Sequence, residues 1–301
     1  MHHESSFTVQ VDATNPGHFF ACCGLLELAH RLWPGAEGCF DASGDHFAVT
    51  ITDPKASLER LLEALKTCEV SGLTQDERGE REKLEKENRD LGKRQPLPDD
   101  KERRRKELGE KARKGALRLG DPFGVRLDWW QTADDEAAPK TWAGRQEIHR
   151  VARAAQDALP SFSTALFDHG SVLRMPAEYR STTRDSEKPL EPFCFDARRF
   201  AHSLDVGFSL DVIGAETTAY PAVELLSLIG LQRFRSAPAP VKWSFDYWTW
   251  SRPLRAPVAA GVASGAVPTP VRVGYRFTLR FRDDQKRYKA FGRAKTIGED
   301  I

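Results

Sequence analysis

The stretch Asn15–Gly35, NPGHFFACCGLLELAHRLWPG, constrains the fold more than any other part of this chain. It follows a segment in which Phe7, Val9 and Val11 alternate with Thr8 and Gln10, the period of a half-buried strand. Asn15 can accept a hydrogen bond from the first turn of a helix, and Pro16 then sits where a missing N–H costs nothing. Phe20, Cys23, Leu26, Leu28 and Leu32 make the helix apolar around most of its circumference, and Pro34-Gly35 ends it. Such a helix has to be enclosed on several sides, which places it at the centre of a core built from strands and helices together.

The chain continues as a hairpin, with strands near 38–42 and 46–51 around Ser43-Gly44. A second helix is expected from Asp53-Pro54, with Leu58, Leu61, Leu62 and Leu65 on one face. The order β-α-β-β-α supplies five of the six elements of a ferredoxin-like fold. The fold class is therefore α+β. A ferredoxin-like βαββα unit occupies 1–72, a charged helical hairpin is inserted over 73–120, and a second α/β portion with antiparallel strands covers 121–301.

The middle segment differs sharply in composition. Of the 40 residues 75–114, 15 are basic and 12 acidic, and none is aromatic. Pro96 and Pro98 divide it into two helical arms, near 76–93 and 99–118. Leu84, Leu91, Leu108 and Leu117 leave the arms little to bury, so a solvated hairpin laced with ion pairs or a disordered segment is one reading. The other is an arm that touches a neighbouring subunit or a nucleic-acid backbone. The run Arg103-Arg104-Arg105-Lys106 favours it, because these charges are expected to exceed what near neighbours can neutralise.

Beyond Asp121, Val125, Leu127 and Trp129 alternate as a strand. Ile148, Val151, Ala152, Ala155 and Leu159 mark a helix that also carries Arg145, Arg150 and Arg153. A further helix begins at Pro221. Strands are expected at Trp243–Trp250 and Val271–Arg282, separated by a Pro/Gly/Ala-rich loop at 253–270. In the last strand Val271, Val273, Tyr275, Phe277, Leu279 and Phe281 alternate with Arg272, Gly274, Arg276, Thr278, Arg280 and Arg282. One face is core. The other carries four arginines roughly 7 to 14 Å apart, either paired to acids on the next strand or free to track phosphates. Tyr179-Arg180-Ser181-Thr182-Thr183-Arg184 is a second candidate, a loop able to contact phosphate or stack a base. Arg198-Arg199 and Arg233/Arg235/Lys242 form a third group of the same kind.

Bulk numbers bound the function. A net charge of +1, from 45 basic and 44 acidic residues, gives the molecule no strong overall field, so any nucleic-acid site needs locally segregated cations. The five cysteines, Cys22, Cys23, Cys39, Cys68 and Cys194, are odd in number and lie among apolar residues, as buried thiols of a reducing cytosol would. No signal peptide or membrane span is read, so a soluble cytoplasmic protein is expected. Catalytic patterns are poor: there is no CxxC pairing, no phosphate-binding glycine loop and no metal-ligand spacing beside Asp168-His169-Gly170. Cys22 and Cys23 share a helix start with His18, which permits a thiol nucleophile, although their apolar neighbours favour packing. No catalytic residue, metal or cofactor is expected.

Asn15-Pro16-Gly17 running into Phe19–Leu28, together with Pro221–Leu226 and Ile229–Arg235, resembles a small CRISPR-associated family. Phe193–Phe200 (FCFDARRF) and Leu204–Asp211 (LDVGFSLD) look like further blocks of it. That family belongs to the type I-U (I-G) interference systems and stands in for the large subunit of Cascade, the RNA-guided surveillance complex. The resemblance implies a non-catalytic subunit that contacts CRISPR RNA, target DNA and other Cascade subunits. It also implies a part in recognising the protospacer-adjacent motif and in presenting the target to a separate helicase–nuclease. The residues expected to touch nucleic acid are Arg272, Arg276, Arg280, Arg282, Tyr179, Arg180, Arg184, Arg103, Arg104 and Arg105. The alternatives are a purely structural scaffold and a small thiol or histidine enzyme using Cys22, Cys23 or His169.

Overall fold

The computed structural model describes residues 6–92, 95–114, 116–128, 142, 146–161, 165–180, 189–199, 218–269, 272–282 and 289–298. Trp129, Arg145, residues 181–184, Phe200, 204–211 and Val271 lie outside them.

Strand β1 (Phe7–Gln10) leads into α1 (Pro16–Leu32). The Asn15 side chain accepts from Gly17 N at 3.0 Å and caps the helix. Every residue of α1 from Pro16 to Ala29 is buried, as its all-round apolar pattern requires. A hairpin of β2 (Glu37–Phe40) and β3 (His46–Thr50) follows. Next comes α2 (Leu58–Thr67), which starts later than Asp53-Pro54 suggests. Asp53 closes a turn on Lys55 N at 2.8 Å, and Ser57 takes the cap by accepting from Arg60 N. Leu58, Leu61, Leu62 and Leu65 are all buried.

The first sheet has the order β1-β3-β2-β9, antiparallel throughout, where β9 is Leu254–Arg255. The strand after α2, β4 (Val70–Ser71), joins a different, three-stranded sheet with β5 (Leu117–Leu119) and β6 (Val125–Leu127). Between β4 and β5 the charged segment forms α3 (Gln75–Leu91) and α4 (Asp99–Lys114). A capping box of Thr74 and Glu77 starts α3.

The remaining elements are α5 (Ile148–Asp157), α6 (Pro221–Gly230), β7 (Ala237–Pro238), β8 (Ser244–Trp248), α7 (Ala256–Ala263), β10 (Gly274–Phe281), β11 (Lys289–Phe291) and β12 (Lys295–Thr296). Strands β11-β10-β8-β7 make a second sheet, with β12 also on β10. The stretch 253–270 is therefore not a plain loop. Pro257 sits in the first turn of α7, where its missing N–H is tolerated, and Ala259, Val262 and Ala263 are small enough to pack inward. In β10, Tyr275, Phe277 and Leu279 are buried as expected, but Val273 lies just before the strand and is exposed.

Helix α1 lies between the first two sheets. Phe19 stacks on Tyr247 of β8 at 4.3 Å and on Phe40 of β2 at 5.7 Å. Phe20 meets Phe277 and Phe291. Trp250 ties the sheets together: its Nε1 donates to Gly38 O at 2.7 Å, and its carbonyl accepts from Phe40 N. On a further side α1 packs backbone to backbone against α6. A Cβ on Gly24 would overlap the Leu226 carbonyl oxygen, and one on Gly230 would overlap that of Phe20. One at Gly17 would come within 2.5 Å of Phe195 O. Ser227 Oγ donates to Gly17 O at 2.7 Å across the same contact.

Residues from 9 to 70 and from 117 to 294 contribute to one apolar core, to which the described part of 75–114 adds nothing. The hairpin has its own small seam instead, where Leu84, Leu97, Leu108 and Ala112 are buried.

The glycine contact predicts a sharp contrast. Gly24→Ala should cost about 3 kcal/mol, because neither backbone can retreat without unpacking the core. Gly79→Ala, in α3 with nothing within 4 Å of the new methyl, should be neutral or stabilise by up to about 1 kcal/mol. Denaturant midpoints of the two variants check this; similar midpoints would show that the α1–α6 contact yields.

Candidate functional site

Three of the segments that carry the family resemblance meet at the starts of α1 and α6. Asn15 Nδ2 donates to Asp196 Oδ1 at 2.9 Å, and Asn15 Oδ1 also accepts from Ala197 N. Asp196 is fully buried. Arg198 grips it through Nε and Nη2 at 3.1 and 2.8 Å and lies 3.7 Å over the Tyr220 ring. Asp12 N donates to His18 Nδ1, which leaves the His18 proton on Nε2, facing Asp196 at 3.7 Å without a hydrogen bond. Burial works against ionisation of Asp196, but His18 and Arg198 outweigh it and hold the carboxyl well below its usual range. By geometry Arg198, in direct contact, is the stronger of the two. On α6, Glu224 accepts from Phe195 N and Asp196 N at 3.3 and 3.4 Å. The cluster fastens 193–198 across two helix starts. Neither Asp196 nor Glu224 stands out from the sequence, since each is a single acid in an apolar run.

Chemistry at the other catalytic candidates is limited. Cys22 and Cys23 are fully buried, and burial pushes both thiols well above their ordinary value. Asp168 is engaged by Arg198, and the neighbouring His169 is exposed. Among the described residues no group of three or more His, Cys, Asp or Glu could hold a metal ion.

The arginines of the last strand divide. Arg276 is bound by Asp246, its cross-strand partner on β8, through two contacts of 2.7 and 2.8 Å. Arg282 donates to the carbonyls of Trp142 and Lys289 and reaches Glu191 at 3.3 Å. Arg272 lies over the Trp248 ring, and Arg280 is exposed. Among the described residues neither has an acid within ion-pair distance.

The run on α4 departs from expectation. Arg104 pairs with Glu80 and Glu107, and Arg105 with Glu102 and Glu85. Lys106 pairs with Glu102, and the largely exposed Arg103 stands 3.9 Å from Glu107. Acids of α3, brought alongside by the hairpin, supply the partners that are remote in sequence.

That pairing occupies one side of α3. Glu77, Glu80 and Glu87 reach Lys111, Arg104 and Lys101. The other stripe, Arg78, Arg81, Glu82, Glu85 and Arg89, follows helical spacing and faces the body of the protein. It lines a cleft of about 520 Å³, whose far wall is the start of α5 and the turn Ala177–Tyr179. Two sequence candidates sit there. Tyr179 is half-buried, its ring 4.9 Å from His149 and under the Arg150 guanidinium. Arg180 donates from Nε to Met175 O at 2.9 Å.

Glu147, at the floor, accepts from Arg81 at 2.6 Å and pairs with Arg150. Glu85 and Glu178 are paired to Arg105 and Arg153. Among the described residues Arg78, Arg89 and Arg180 have no acid within ion-pair distance, and Glu82 is the only unpaired acid of the lining. His149 is buried, and its Nδ1 has no hydrogen-bond partner. Burial carries its pKa from 6.5 down to about 4, against the pull of Glu147, so the ring is neutral at pH 7. Sequence reasoning did not single out Arg78, Arg81 or Arg89; their helical spacing is the signal that could have found them, and nothing local announces the facing wall.

Comparison of the chain with protein-family models, curated proteins and solved structures finds no match.

Two predictions follow the charges. Arg276→Gln strands the Asp246 carboxylate and should cost about 2 kcal/mol. Asp246→Asn in the same chain should recover most of it, so a double-mutant cycle reads the coupling, and additive losses would contradict the pair. His149 sets a pH dependence. Its folded pKa lies below the unfolded value, so as pH falls from 6.5 towards 4 the unfolded chain takes up a proton that the native state refuses. Stability contributed by the neutral ring is present above pH 6.5 and declines by about 3 kcal/mol across that window. Urea unfolding of His149→Asn should show a flatter dependence there; parallel curves would remove His149 as the cause.

Proposed function

We propose that this protein is a non-catalytic, nucleic-acid-binding subunit of an RNA-guided type I surveillance complex of the Cascade kind, working in the cytoplasm. The observation that carries the reading is charge segregation. In a chain of net charge +1, Arg103, Arg104 and Arg105 of α4 are tied to acids, while among the described residues Arg78, Arg89 and Arg180 gather around one cleft beside Tyr179 with no acid within ion-pair distance. Cations gathered in this way serve an anionic polymer. Specificity in such a complex resides in base pairing, and the protein supplies charge and shape.

Residues 1–72 suit the ferredoxin-like reading in part. The order β1-β3-β2, with α1 and α2 following β1 and β3, is that of such a fold short of its final strand. The lack of accessible thiols at Cys22 and Cys23 supports a non-catalytic role. A second reading, a scaffold that binds protein partners only, is favoured by the ion pairing of Arg103, Arg104, Arg105 and Lys106 on α4.

Co-purification of the tagged protein from cells carrying its partners separates the two. The expected result is an assembly that retains RNA and binds target DNA with a logarithmic affinity falling linearly with logarithmic salt. An assembly whose affinity for DNA is no greater than that of the partners alone would establish the scaffold. The pure chain should leave single- and double-stranded nucleic acid intact with magnesium or manganese. Cleavage abolished by His169→Ala would overturn the non-catalytic reading.

A further inference from the structure

The cleft between α3 and the body points to a specific ligand, and the inference rests on the nucleic-acid reading above. We infer that it holds a short single-stranded stretch of nucleic acid, phosphates against Arg78, Arg89 and Arg180 and one base entering beside Tyr179 and His149.

Three properties of the cleft select this chemistry. The first is charge. Among the described residues three arginines without an acid in ion-pair distance face one such acid, Glu82, while Glu85, Glu147 and Glu178 are already neutralised. Arg78 and Arg89 stand about 16 Å apart along α3, which suits an extended anion better than a compact one. The second is the lining. Tyr179 is a half-buried ring already packed against an imidazole and a guanidinium, Met175 adds an apolar contact, and a π face of this kind accepts any base. The third is size. About 520 Å³ falls within the roughly 300–1,000 Å³ of small-ligand pockets. A splayed-out nucleotide fits both the volume and the mixture of charge and aromatic surface. An acidic peptide would meet the arginines but leave the Tyr179–His149 end without a match.

The test uses the full chain and fluorescently labelled oligonucleotides of one short sequence, as single-stranded RNA, single-stranded DNA and DNA duplex, with polyglutamate as competitor. Arg78→Gln, Arg89→Gln and Arg180→Gln are combined; among the described residues none of the three side chains has an acid within ion-pair distance, so the fold should persist, as circular dichroism and the unfolding midpoint will report. The expected result is single-strand binding that weakens at least about tenfold in the triple variant, with a salt slope shallower by roughly 2, near 0.7 per lost contact. Tyr179→Leu should weaken binding with the slope unchanged, since stacking involves no counterion. The RNA and DNA arms show which polymer the cleft prefers.

Wild-type protein that binds oligonucleotides while the triple variant binds equally well would overturn the cleft and leave the wider reading standing. Preference for duplex, or displacement of the oligonucleotide by polyglutamate at equal charge, would overturn it as well. No binding to any oligonucleotide by the wild-type chain, coupled with no binding by its assembled complex, would remove both.

Discussion

The contact between α1 and α6 is the constraint on which the rest of the structure depends. Gly24 and Gly230 bring two backbones together with no side chain between them. Helices this close exchange dispersion contacts over their main chains, and their positions become mutually fixed. Everything attached to them inherits that precision. The two sheets meet α1 through Phe19 and Phe20, and the 193–198 segment is held at both helix starts through Asn15 and Glu224. The buried charges of that junction are tolerable because each has partners: Arg198 and Asn15 on Asp196, backbone N–H groups on Glu224.

Charge is distributed on a different principle from apolar surface. The described residues of the hairpin α3–α4 add nothing to the main core, and the hairpin is held by a small leucine seam and a ladder of ion pairs, most of them solvent-exposed and individually weak. Its attachment to the body includes the Arg81–Glu147 pair, which is much better shielded. One side of α3 therefore serves the hairpin and the other serves the cleft. The same helix that looks uniformly charged in sequence has two electrostatically distinct faces.

Local signals made a good part of this legible in the sequence. Asn15-Pro16 followed by an apolar run specified α1, the Ser43-Gly44 turn specified the hairpin, and Pro96 and Pro98 separated the two arms. Signals that depend on distant residues were not legible. Nothing local says that Gly24 meets Leu226, that Glu80 will stand beside Arg104, or that Asp246 opposes Arg276. Helix α7 was hidden because alanine, glycine and proline resemble a loop by composition until small size is seen to allow close packing. Tyr179 and Arg180 read in sequence as part of a loop able to meet nucleic acid, but the wall opposite them, on α3, comes from a segment about a hundred residues earlier.

The pairing of β2 with β9 has a consequence for how the molecule is made. Glu37 aligns with Arg255, and Phe40 with the Trp250 carbonyl, so the first sheet is completed by chain synthesised more than two hundred residues later. The partner helix of α1 is also late, beginning at Pro221. During translation the ribosome thus releases a helix with almost no polar face long before α6 exists to cover one side of it. Non-local closure of this kind slows folding and lengthens the period in which apolar surface is exposed. The intervening charged hairpin, with its local ion pairs and its own leucine seam, can form in that interval, so the nascent chain carries a highly solvated, structured segment beside its least soluble one.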